Sequence, residues 1–173
     1  MRLRNAHEAD VAPLLGLINA YADRGLLLPR TAASLRARLA DFVVAEEAGE
    51  LVACGALTAL GPGLGEVRSL AVRVDQASKG LGHQVVEQLL ECARDRGFRE
   101  VLALTRRVSF FEALGFAVAR RERFLDKLAA DCRACPMNLC CDETAMVRGP
   151  AAPRSQFTAA EDAAKVQEGV TCE

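Results

Sequence analysis

The chain has 173 residues, the size of one domain, and its 51% hydrophobic and 26% charged content excludes wholesale disorder. Lys and Arg total 22 against 23 Asp and Glu, and a net charge of -1 argues against nucleic-acid binding by bulk electrostatics. No apolar run nears the roughly 18 residues that cross a bilayer, and the N-terminus turns polar after one apolar residue; no membrane span and no secretory signal are expected, with the cytoplasm as default.

Leu3 lies in a short stretch that predicts an edge strand. Val11, Leu14, Leu15, Ile18 and Tyr21 recur every three or four residues, one face of an amphipathic helix that Gly25 ends. Residues 26–31 read as a loop, with Thr31 as N-cap of a second helix through Leu35 and Leu39. Three strands follow: 42–48, 51–60 after a tight turn, and 66–74 after a glycine-rich loop at 61–65. In the third, Glu66, Arg68, Leu70 and Val72 alternate with Val67, Ser69 and Ala71, so Ser69 is expected to face away from Arg68.

The turn Lys79-Gly80-Leu81-Gly82 opens a helix with Val85, Val86, Leu89, Leu90 and Ala93 as its apolar stripe. Val101 to Thr105 is a continuous apolar run typical of a buried central strand. A short helix holds Phe110, Phe111 and Leu114, then strands are expected at 116–119 and 144–147. Residues 1–149 form the predicted domain, and 150–173 a polar, mobile tail. The meander followed by strand–helix–strand implies an α/β (α+β) fold: a mixed, mostly antiparallel sheet with helices on both faces.

The chemistry-bearing features start with that glycine turn. Glycines let a ligand approach the backbone, and the first N–H groups of a helix are unpaired with the dipole behind them, which suits a diphosphate. Ser78 and Lys79 add a hydroxyl and a charge, and His83 stands in the first helical turn, either at a phosphate or in solvent. A Rossmann reading fares poorly, because the third glycine is absent and the turn follows a meander.

This order of elements, with Ala77-Ser78-Lys79-Gly80-Leu81-Gly82 after the fourth strand and Phe110-Phe111-Glu112-Ala113-Leu114-Gly115-Phe116 after the fifth, resembles the GNAT N-acetyltransferases. The resemblance implies acetyl-CoA as co-substrate, its pyrophosphate on Ser78, Lys79, Gly80, Leu81, Gly82 and His83. It implies that Leu70 and Val72 present backbone N–H groups to the pantetheine and the thioester carbonyl. The family's leading Gln/Arg is replaced by Ala77. Phe111 fills the slot where many members carry a Tyr general acid, and it has no proton to donate.

A narrower resemblance, to the N-acetylglutamate synthase subgroup in its short form, rests on Leu28-Pro29-Arg30-Thr31, Glu66-Val67-Arg68-Ser69-Leu70-Ala71-Val72, Ala103-Leu104-Thr105 and the segment from Lys127 through Asp131-Cys132, Cys135-Pro136 and Cys141-Asp142-Glu143. It implies transfer of acetyl to the α-amine of L-glutamate by direct attack in a ternary complex, the first step of arginine synthesis. The implied partners are these two small molecules, with no nucleic acid or membrane; a homodimer stays open. Another amine acceptor, or a non-catalytic acyl-CoA, metal or redox sensor, is the alternative.

Within that implied site, Glu66 is the candidate base, against an exposed strand-end carboxylate. Arg30 is assigned to a substrate carboxylate, which its planar fork binds bidentately. Arg68 either holds the second carboxylate or partners Glu66. Thr105 either protonates the leaving thiolate or caps the strand end. Cys132, Cys135, Cys140 and Cys141 fall within ten residues. The first pair fits half of a zinc site, but adjacent Cys140 and Cys141 do not easily aim at one metal, so free thiols are the alternative. The cysteine segment is expected to lie apart from the chemistry.

Overall fold

A computed structural model describes residues 1–125, 127, 131–135 and 141–149. Cys140 and the expected tail lie outside the described residues. One seven-stranded sheet organises the chain, in the order β1-β2-β3-β4-β5-β7-β6. Its strands are β1 Arg2–Asn5, β2 Phe42–Glu47, β3 Glu50–Gly61, β4 Leu64–Val72, β5 Glu100–Thr105, β6 Ala117–Val118 and β7 Thr144–Arg148. All neighbours are antiparallel except β4 and β5.

Helices α1 (Val11–Ala22) and α2 (Ala32–Arg36) cover one face. Val11, Leu14, Ile18 and Leu35 pack there on Phe42, Val44, Cys54, Ala56 and Ala71. Helices α3 (Leu81–Asp95) and α4 (Val108–Ala113) cover the other, where Val85, Val86, Leu89 and Leu90 meet Val43, Leu57, Val67 and Val101. The apolar stripes read from the sequence are therefore the buried ones. Thr31 caps α2 as predicted: its hydroxyl accepts from Ser34 N–H at 3.1 Å, and Ser34 Oγ accepts from Thr31 N–H at 3.0 Å. The helix is shorter than its pattern suggested, and Leu39 lies in a following 3-10 turn.

Two differences from the sequence reading matter for the site. The expected 61–65 loop is a tight turn, because Gly61 still pairs with Leu64 and both strands run up to it. Strict alternation in β4 also fails. On β3, Cys54 pairs with Ala71 and Ala56 with Arg68, so β4 carries one extra residue there. The bulge is at Ser69, whose φ is 51°. It puts Ser69 on the same face as Arg68 instead of the opposite one, and turns Leu70 toward α3.

Candidate active site

The parallel ladder between β4 and β5 ends at Val67 with Ala103, while β4 stays paired to β3 as far as Val72. Beyond Val67 the two strands part, and the edge of β4 facing β5 is open. Hydrogen-bonded and non-bonded pairs alternate along an antiparallel ladder. Arg73 N–H bonds Val52 O at 2.8 Å, so the next pair, Val72 with Ala53, is the non-bonded kind. Val72 N–H and C=O thus point away from β3, into the opening. Tyr21, on α1, donates its hydroxyl to Val72 O at 2.6 Å.

The glycine turn stands at the start of α3. Gly80 is its N-cap with φ 71°, the left-handed region that favours glycine, and no side chain caps the helix. The first N–H groups of a 15-residue helix are thus left to a ligand or water. This fits a diphosphate. Ser78 and Lys79 are exposed beside it, and Leu81 is buried. Gly82 has a packing reason as well, since a Cβ there would lie 3.3 Å from the Phe110 ring. His83 is buried rather than solvated, with its ring 4.4 Å from that of Phe110. Phe111 is buried too, edge-on to Phe116, and works as a core residue.

On the α1/α2 face beside the opening lies a web of charge. Glu66 is 2% exposed. Its Oε1 lies 2.8 Å from Lys127 Nζ, and its Oε2 accepts from Lys127 Nζ at 3.0 Å and from Arg68 Nε. Arg68 also donates to Asp131, which accepts from Lys127 at 3.1 Å. Arg68 is thus a partner of Glu66 in this structure. Asp131 is held below the usual carboxylate range: burial pushes it up, and the bond and charge of Lys127, with those of Arg68, more than offset that. Glu66 is therefore a buried, doubly paired carboxylate and not an exposed strand end.

Arg30 differs. Its Nη2 donates to Ser69 Oγ at 3.3 Å, its Nε is buried without a hydrogen-bond partner, and no carboxylate lies within ion-pair distance among the described residues. Its guanidinium is pushed down, first by burial and then by the charges of Arg68 and Arg38; Asp131 and Glu66 pull the other way. Arg30, Arg38 and Arg68 line one small pocket with Ser34, Phe42 and Thr58. Such a place favours an anion. The loop is fixed by Asn19 of α1, which accepts from Arg30 N–H at 2.9 Å and donates to Arg30 O at 3.1 Å.

Thr105 ends β5, with its hydroxyl oxygen accepting from Arg107 N–H at 2.9 Å. The strand-end capping interaction is present, and the hydroxyl hydrogen remains for another acceptor. Cys132, Cys135 and Cys141 are free thiols. Among the described residues no group of three or more His, Cys, Asp or Glu side chains is placed to hold a metal. Lys127 and Asp131, which precede the cysteine segment, bind Glu66 and Arg68 directly. Sequence reasoning gave no site role to Lys127, Asp131, Asn19 or Tyr21. The available signals were an Asn inside a helix and the chain's one Tyr. Among the described residues no helix is long and apolar enough to cross a membrane.

Comparison with known proteins adds the chemistry. An N-acetyltransferase of Chlorobaculum tepidum is 34% identical over 146 residues, 84% of this chain and 94% of that one. An amino-acid acetyltransferase of Mycobacterium tuberculosis is 37% identical over 66% of this chain and 67% of its own length. The fold matches N-acetylglutamate synthase from Neisseria gonorrhoeae, solved with coenzyme A and N-acetyl-glutamate, at a TM-score of 0.79 and 25% identity; this covers 87% of the chain but only 35% of the synthase. The model of the acetyltransferase (GNAT) family matches residues 16–116. More than half of the chain lies in that match, and the chain belongs to the GNAT acetyltransferases, enzymes that transfer acetyl from acetyl-CoA.

Proposed function

We propose that this acetyltransferase acetylates the α-amine of L-glutamate. The observation that carries the reading is Arg30, a half-buried guanidinium with no carboxylate partner among the described residues, beside Arg38 and Arg68. Among the described residues Arg68 and Lys127 form ion pairs with Glu66 and Asp131 and Arg30 forms none, so this group of five carries one positive charge in excess. A dicarboxylate relieves that excess, and a guanidinium holds a carboxylate by two parallel bonds. Relatives named amino-acid acetyltransferase, and a structural neighbour holding N-acetyl-glutamate, support the same acceptor.

The thioester lies along the open edge of β4, its carbonyl oxygen receiving N–H donors from Leu70 and Val72. The diphosphate takes the start of α3, at Gly80, Leu81 and Gly82, with Ser78 and Lys79 at its rim. Fixed donors stabilise charge that develops on the carbonyl oxygen. The neutral amine attacks the carbonyl carbon; the C–N bond forms, the C–S bond breaks, and the amine passes one proton to water. The sulfur leaves as thiolate or takes a proton from Thr105, whose hydroxyl oxygen accepts from Arg107 N–H and regains its proton from water. Glu66, held by two cations, positions Arg68 and Lys127.

The test is thiol release from acetyl-CoA with glutamate, aspartate, glutamine, alanine and a polyamine. Glutamate should be the preferred acceptor. Arg30→Ala should lower kcat/KM for glutamate roughly 10- to 150-fold, the loss of one charge-assisted contact, and leave acetyl-CoA affinity unchanged. Arg30→Lys should recover part of it. A preference for a monocarboxylate or polyamine would transfer the reading to another acceptor.

A further inference from the structure

Asn19 lies inside α1, three residues before its end. Asn is a poor residue for a helix interior, because its side chain competes for backbone groups in other conformations. Here the amide does not turn back on its own helix. It crosses to the loop before α2 and meets both polar groups of one residue, accepting from Arg30 N–H at 2.9 Å and donating to Arg30 O at 3.1 Å. A side-chain amide in this reciprocal arrangement does what a neighbouring strand does for a strand residue: it fixes the position and the roll of the backbone.

The residue so fixed has little else to hold it. Arg30 follows Pro29 in a stretch without secondary structure, and Leu26 and Leu28 beside it are exposed. Its guanidinium has one weak contact, at 3.3 Å to Ser69 Oγ, and no carboxylate to anchor it among the described residues. Two other cations of this face are anchored through their heads: Arg68 by Glu66 and Asp131, Lys127 by the same two. Arg30 alone of these three is placed from its backbone. That leaves its head available to a ligand while its origin stays fixed, and binding then costs less ordering of the loop.

We infer that Asn19 is a positioning residue for the acceptor, acting through Arg30: it sets the backbone from which the guanidinium reaches the acceptor's carboxylate. This rests on the carboxylate-binding reading of Arg30. Its effect belongs to acceptor binding and not to the cofactor, whose sites are on β4 and α3.

Steady-state kinetics of the single and double variants test it, with glutamate as acceptor. Asn19→Ala removes two hydrogen bonds, so the KM for glutamate should rise roughly 5- to 30-fold, with kcat and acetyl-CoA affinity changing less than about twofold. Asn19→Asp keeps the acceptor for Arg30 N–H but sets an oxygen against Arg30 O, and should resemble Asn19→Ala. Asn19→Ser, smaller but still polar, guards against a variant that fails to fold. The deciding arm is the double variant. In an Arg30→Ala background, Asn19→Ala should add almost nothing to the glutamate KM, because the group it positions is gone. Independent, multiplying effects mean that Asn19 merely supports the fold, and overturn the inference; so does an unchanged KM in Asn19→Ala when Arg30→Ala raises it. If Arg30→Ala itself leaves the acceptor KM unchanged, the carboxylate reading of Arg30 fails, and the role of Asn19 falls with it.

Discussion

Lys127 Nζ stands 2.8 Å from Glu66 Oε1 across 61 residues of sequence. The two join the segment before the cysteines to the strand that borders the opening. Removing Lys127 leaves Glu66 still paired with Arg68, so the loss is that of hydrogen bonds to a charged group, about 1.5–3 kcal/mol. Lys127→Met should therefore lower stability by that order in urea denaturation, far more than Lys79→Met, whose amine lies 3.9 Å from Glu47 at the surface.

Glu66→Gln separates positioning from proton transfer. If Glu66 positions Arg68 and Lys127, the glutamate KM should rise about tenfold, the size of one charge-assisted hydrogen bond, and the pH profile of kcat should keep its shape. A fall in kcat of about 100-fold or more, with loss of the acidic limb, would make Glu66 the proton acceptor instead.

Gly80 and Gly97 flank α3 with the same φ of 71°. Alanine at either site brings the same left-handed strain, about 1 kcal/mol. Only Gly80 borders the uncapped N–H groups. Gly80→Ala should weaken acetyl-CoA binding about tenfold in calorimetry, and Gly97→Ala should lower stability equally with affinity unchanged. Equal affinities in the two variants would remove the diphosphate from this turn.

Tyr21 donates to Val72 O at 2.6 Å, on the edge of β4 that β5 leaves unpaired. Tyr21→Phe keeps the ring and removes that bond. A neutral hydrogen bond is worth about 0.5–1.5 kcal/mol, so the KM for acetyl-CoA should rise about 2- to 10-fold. The glutamate KM should stay put. A change in glutamate KM alone would mean that Tyr21 serves the acceptor.

The sequence made most of the fold legible because periodicity reports burial. Leu14 and Ile18, Val85 and Leu89, and Val101 and Leu102 were expected inside and are fully buried. Alternation failed at Ser69, since a bulge is one inserted residue and leaves no periodic trace. Arg30, Glu66, Arg68 and Gly80 were legible as residue types suited to a chemistry. What stayed hidden was pairing. Nothing local to Lys127 or Asp131 signals that they reach β4, and nothing local to Asn19 signals Arg30, because such contacts exist only once the chain has folded.

Stability should fall in acid through Asp10, a residue 5% exposed where β1 meets the start of α1. Arg4 binds its two oxygens at 2.6 and 2.9 Å, and His7 N–H donates to it at 2.8 Å. Its carboxyl is held below the ordinary 3.8, mainly by the Arg4 hydrogen bonds, with burial opposing and His7 N–H assisting. The unfolded chain then takes up this proton more readily than the folded one. The stabilisation is complete above the ordinary carboxyl value and is lost as pH falls through the folded value. Other carboxylates shift the same way, Asp131 and Asp142 among them, so the wild-type curve alone does not isolate Asp10. The comparison with Asp10→Asn does. At neutral pH the variant should be less stable by about 1.5–3 kcal/mol, the worth of hydrogen bonds to a charged group. As pH drops from about 5 to about 2, in the range set by carboxyl titration, the gap in urea unfolding free energy should close. A gap that stays constant across that range would mean that Asp10 contributes through packing and not through its charge.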